Sequence, residues 1–131
     1  MRANWIPHVL LVGTGGFVGS VLRYLVSGLV LRTVPAATFP VGTVAVNLLG
    51  CFAIGVAGGL TESHQLLTGE ARLFLLIGVL GGFTTFSTFG YETIALLRDA
   101  SYVRAGSNIL LHILLGLGAV WSGLVLTQRG V

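Results

Sequence analysis

Residues 81–92 read "GGFTTFSTFGYE" and interrupt a run otherwise apolar enough to sit in lipid. Two glycines followed by two β-branched threonines, Thr84 and Thr85, make a weak point in a helix. A break at mid-membrane is tolerable only where the freed amides and carbonyls are buried in protein, bind an ion or meet water. Phe86 and Phe89 are three apart and share a helix face, and Thr85 and Thr88 set a hydroxyl face beside them. A phenyl ring has a partly positive edge, so paired edges suit an anion. Mid-span phenylalanine also commonly just packs or meets lipid. The stretch reads as part of an ion pathway.

The rest of the chain supports a membrane setting. Of 131 residues, 54% are hydrophobic and 8% charged, with a mean hydropathy of +0.95. A soluble domain carries about a quarter charged residues, so this chain lacks the means to cover a water-facing surface. Spanning a bilayer takes about twenty mostly apolar residues. Four segments qualify, at about 9–31, 41–60, 71–97 and 102–126. The links "RTVPAATFP", "TESHQLLTGE" and "RDAS" hold the breakers and polar residues. The alternation of a lipid-facing β-barrel is absent. The expectation is an all-α membrane protein, one domain over 1–131, its third helix broken at mid-membrane. The N-terminal "MRANWIPHVLLVG" lacks a small-residue cleavage site and reads as the start of a retained helix. Cys51 stands alone, so it reads as a small buried hydrophobe.

The isoelectric point near 9.8 arises from seven scattered arginines without any lysine. With no basic run, nucleic acid is excluded as a partner. Orientation follows the basic bias of short loops. Arg2, Arg72 and Arg129 fall on one side, and Arg32, Arg98 and Arg104 on the other. That tie predicts insertion both ways and an antiparallel homodimer, the two-chain counterpart of an inverted repeat. Four helices about 10 Å wide leave little lumen, so one protomer has trouble enclosing a pathway. Glycines at three- and four-residue spacing (Gly13, Gly16, Gly19; Gly55, Gly58, Gly59; Gly78, Gly81, Gly82) let helices approach.

Few costly residues lie inside the spans: Arg23, Asn47, Glu92, Asn108 and His112. Intramembrane ionisable groups are functional candidates. Arg23 and Glu92 come late in upgoing spans, and Asn47 and Asn108 early in returning ones, so all four share a leaflet. His112 lies nearer the middle. An antiparallel partner repeats the set opposite, giving polar groups at both mouths.

The string "GVLGGFTTFSTFGYE" resembles the fluoride channel family (Fluc, also called CrcB). The likeness extends through "GGFVGSVLRY", "PVGTVAVNLLGCFAIG" and "NILLHILLGLGAVW". The resemblance implies an antiparallel homodimer in the bacterial inner membrane, with two pores that passively export fluoride. It implies that Phe86 and Phe89 are ring-edge residues of the pore, Asn47 an amide donor, and Thr85 and Thr88 part of a polar track. It implies backbone carbonyls of Gly81 and Thr84 around a structural sodium shared by both subunits. Four carbonyl oxygens suit a hard cation. Arg23 resembles a vestibule arginine that raises local anion concentration; the other reading has it snorkelling or paired with Glu92. Glu92 is assigned to the pore lining, accepting from nearby hydroxyls or protonating as fluoride passes.

The fourth span departs from the family pattern. His112, one turn after Asn108, stands where a small hydroxyl is expected. It either donates to fluoride or caps a carbonyl in the packed interior; a pore-lining histidine makes conduction vary between about pH 5 and 8.

Two rivals stand against the channel. A small dual-topology multidrug exporter needs a carboxylate deep in its first span, where this chain has Arg23. A non-transporting assembly subunit would lose no flux on replacement of Phe86 or Phe89. No nucleophile–base pairing or metal-ligand cluster suggests an enzyme; His8, His64 and His112 are far apart in the chain.

Overall fold

The computed structural model describes residues 5–34, 38–64, 67 and 69–128. Arg2 and Arg129 of the arginine count, the side chain of His64 and parts of the first two links lie outside them. The described chain is all-helical: α1 (Trp5–Thr33), α2 (Val41–His64), α3 (69–83), α4 (Phe86–Arg98) and α5 (Tyr102–Gln128). Four helical runs are long and apolar enough to cross a membrane, the third being α3 and α4 together over Gly69–Arg98.

The boundaries follow local chemistry. α1 starts before the predicted 9–31 because Pro7 falls in its first turn, where a helix has no use for the missing N–H. α2 opens directly after Pro40, whose carbonyl accepts from Val44 N–H at 3.1 Å. α4 closes in a left-handed turn at Ala100, φ 52°. There Ser101 N–H reaches the Leu96 carbonyl at 2.8 Å and Ala100 N–H the Leu97 carbonyl at 3.1 Å, a Schellman closure. Two stretches the sequence did not announce, Leu73–Leu80 in α3 and Leu111–Leu115 in α5, widen to π-helical turns.

Burial is inverted relative to a water-soluble domain. Val46 and Ala105 are the buried apolar side chains among the described residues, whereas Thr43, Asn47, Thr85, Thr93 and Asn108 are buried and polar. Large apolar side chains such as Phe17, Leu117 and Trp121 point outward, as expected when lipid is the solvent.

The helices meet along glycine. α1 packs on α3, and α2 on the C-terminal half of α5. A Cβ on Gly15 would stand 2.6 Å from the Phe74 carbonyl, and one on Gly19 would strike the Val79 carbonyl. Gly78 and Gly82 complete that seam from the other side, and Gly55, Gly59 and Gly123 form the α2–α5 seam. The contact spacing is four residues, the close-approach pattern of membrane helices. Its register in α1 runs through Gly15 and Gly19; a Cβ on Gly13 would meet nothing within 4 Å.

The third span changes partners at its middle, where α3 lies on α1 and α4 on the first half of α5. The break sits at Thr84 (φ −81°, ψ 158°) and Thr85 (φ −149°, ψ 112°). Gly81 and Gly82 stay helical, because Gly82 is needed against α1: a Cβ there would lie 2.5 Å from the Gly16 carbonyl.

Candidate functional site

Two extended residues inside a span need partners for their backbone, and Asn47 supplies them. Thr85 N–H donates to Asn47 Oδ1 at 2.8 Å, and Asn47 Nδ2 donates to the Thr85 carbonyl at 3.0 Å. The amide thus stands in for a missing backbone, and both residues are buried. Its second N–H is left over from this pairing. Thr85 also caps α4, its Oγ1 accepting from Thr88 N–H at 3.2 Å. The same hydroxyl donates to Thr88 Oγ1 at 2.9 Å and lies 3.2 Å from Ser87 Oγ. The Thr85 and Thr88 hydroxyls are thus bonded to each other, with the Ser87 hydroxyl alongside.

Further along α4, Glu92 Oε1 accepts from the Thr43 hydroxyl at 2.7 Å. Asn108, fully buried, donates from Nδ2 to Thr93 Oγ1 at 2.9 Å. The Thr93 hydroxyl in turn donates to the Phe89 carbonyl at 2.7 Å. His112 Nδ1 lies 2.9 Å from the Asn108 carbonyl. Three buried atoms in this layer, Glu92 Oε2, Asn108 Oδ1 and His112 Nε2, have no partner. Thr43 and Thr93 escaped the sequence reading, although each had a signal. Thr43 is one helical turn before Asn47, and Thr93 one turn after Phe89.

The rings stand at the edge of this layer. Phe86 and Phe89 have centroids 5.4 Å apart at 53°, and Phe89 lies 4.4 Å from His112 at 41°. They border a cavity of about 370 Å³ that Asn47, Thr85 and His112 also line. Phe86 is 83% exposed beside it. Cys51, read as a small apolar filler, is half-buried on the same wall.

Arg23 does not pair with Glu92. Its Nη1 reaches the Thr84 carbonyl at 3.5 Å, while Glu92 is engaged by Thr43. Arg23 also lines a separate hollow of about 700 Å³ with Arg32, Tyr24 and Ser27. Both carbonyls assigned to sodium occupy the C-terminal end of α3, the negative end of its dipole. The helical partner of the Gly81 carbonyl, Thr85 N–H, is diverted to Asn47. Backbone oxygens are the ligand class of a hard cation, and of the two the Gly81 carbonyl is the one not shared with the Arg23 guanidinium.

With that geometry in hand, comparison with known proteins is informative. Residues 10–124 match the family described as "CrcB-like protein, Camphor Resistance (CrcB)". The chain belongs to the CrcB family. It is 48% identical over 125 residues to the "Fluoride-specific ion channel FluC" of Chlorobaculum tepidum, covering 94% of this chain and 96% of that one. The protein of the same name from Opitutus terrae is 47% identical over 116 residues, 87% of each chain. That of Methylobacillus flagellatus is 42% identical over 121 residues, 92% of this chain and 94% of its relative. With four helical runs able to cross a bilayer and relatives named as ion channels, the chain is a multi-pass membrane protein.

Proposed function

We propose that this protein is a fluoride channel that passively exports fluoride across the bacterial inner membrane. The observation that carries the reading is the similarity, over nearly the whole chain, to relatives named as fluoride-specific channels. The geometry supports it. Fluoride is a strong hydrogen-bond acceptor, and conduction requires its water to be replaced by donors that do not hold it too tightly. The second Asn47 N–H and the edges of Phe86 and Phe89 are donors of that kind at one cavity, and the Thr85 hydroxyl there passes its own proton on to Thr88, next to Ser87. Arg23 raises the anion concentration on the approach.

The functional unit is an antiparallel homodimer with two pores. Support comes from the arginine tie and from Phe86, whose exposed ring beside the cavity offers a second chain an edge to complete the path. The carbonyls of Gly81 and Thr84 would hold a structural sodium shared by the two chains, which would supply positive charge to the carbonyl ends of α3 alongside the Arg23 guanidinium. Glu92 contributes to the lining one helical turn beyond Thr88, one of its oxygens held by Thr43.

The test is fluoride release from liposomes bearing the purified protein, driven by a potassium-valinomycin potential with no proton gradient. The reading expects rapid release of fluoride and none of chloride. Release that needs a proton gradient would favour an exporter, and no release would favour an assembly subunit.

A further inference from the structure

His112 carries chemistry that a hydroxyl at its position would not, and the inference drawn from it rests on the fluoride-channel reading. Its Nδ1 faces the Asn108 backbone carbonyl at 2.9 Å, and a carbonyl only accepts, so the proton of the neutral ring is held on Nδ1. Nε2 is then a lone pair. That atom is buried and has no partner, on a side chain that lines the cavity with Phe86, Phe89 and Thr85. Neutral His112 therefore keeps an unpartnered acceptor on a cavity-lining side chain, and an acceptor ion that meets it gains nothing.

We propose that His112 Nε2 is a proton-controlled anion-binding group of the pathway, closed to fluoride when neutral and open to it when protonated. Protonation converts the lone pair into a charged N–H donor while the Nδ1 bond to Asn108 is kept. The ring also packs on Phe89 with centroids 4.4 Å apart. A positive imidazolium there draws electron density from the phenyl face and makes its edge a better anion partner. The other ionisable groups of this layer are Glu92 on α4, whose Oε2 is buried and unpartnered like Nε2, and Cys51 on α2, on the same cavity wall. On α5 itself Arg104 lies two turns earlier and is exposed. Arg23 on α1 points to Thr84.

The test is fluoride efflux from proteoliposomes between pH 8 and 5, with the leak of protein-free liposomes subtracted. The expected result is efflux that rises toward acid pH. His112→Gln is expected to flatten the profile, and Glu92→Gln to keep the rise. A flat wild-type profile with brisk efflux would overturn this proposal and leave the channel reading standing. Absence of efflux at every pH would fell both. A slope that survives His112→Gln, or vanishes with Glu92→Gln alone, would assign the titration elsewhere and overturn it. Nitrogen-15 NMR of wild-type protein is independent of whether the variants fold. It is expected to report Nδ1–H alone at pH 8, and at pH 5 an Nε2–H whose shift moves on adding fluoride. An Nε2 that carries the proton at pH 8, or that ignores fluoride at pH 5, contradicts the proposal.

Discussion

Gly82 and Thr85 stand three residues apart, yet Gly82 stays helical against α1 while Thr85 leaves the helix to pair with α2. Glycine was the residue expected to yield, being the most permissive of the backbone. Instead it is held by packing so close that any side chain would strike the Gly16 carbonyl. The threonines yield because extended geometry suits a β-branched residue and because Asn47 and the Thr85 hydroxyl take up the freed donors and acceptor. In lipid a helix breaks where replacement hydrogen bonds are available, and conformational freedom alone does not decide the place.

This contrast is broken most severely at Asn47. Asn47→Leu leaves Thr85 N–H and C=O buried without partners, at about 1–3 kcal/mol each. One or two kcal/mol is already a factor of about 5–30 in a two-state population, so fluoride efflux is expected to fall by at least that factor. The purified protein should melt at a lower temperature.

The glycine seam breaks next. Gly19→Leu drives a side chain into the Val79 carbonyl and is expected to cost about 3 kcal/mol. The measurement is the yield of monodisperse protein in detergent. Gly13→Leu, at a position with open space, should leave that yield unchanged; equal losses from the two would refute the register of the seam.

The smallest effect is at Ala100, which holds a left-handed conformation that costs a non-glycine residue roughly 1–2 kcal/mol. Ala100→Gly removes that strain and gives back part of it in backbone entropy. The expected gain is below about 1 kcal/mol, read as a small rise in melting temperature with fluoride flux unaltered.

Much of this was legible in the sequence. Hydropathy located the four spans, and the "GGFTTF" string located the break to within three residues. The depth argument grouped Arg23, Asn47, Glu92 and Asn108; the structure bonds the last three to Thr85, Thr43 and Thr93 and brings Arg23 to the Thr84 carbonyl. Thr43 and Thr93 were missed because a hydroxyl in a membrane helix usually bonds only back to its own carbonyls, as Thr14 does; Thr43 donates to Glu92 instead, and Thr93 bonds back to Phe89 but also accepts from Asn108. The partner helix decides otherwise. The same holds for the seam register, since Gly13 and Gly15 are indistinguishable until α3 is laid against α1. The π-helical turns carry no local sequence mark.

The account's central claim is that the polar seam at the break conducts fluoride and rejects chloride. Current through a planar bilayer holding the wild-type protein, with opposed gradients of the two anions, tests it most directly. The account predicts a reversal potential that follows the fluoride gradient and ignores chloride. A potential that tracks chloride or protons, or the absence of current, would contradict it.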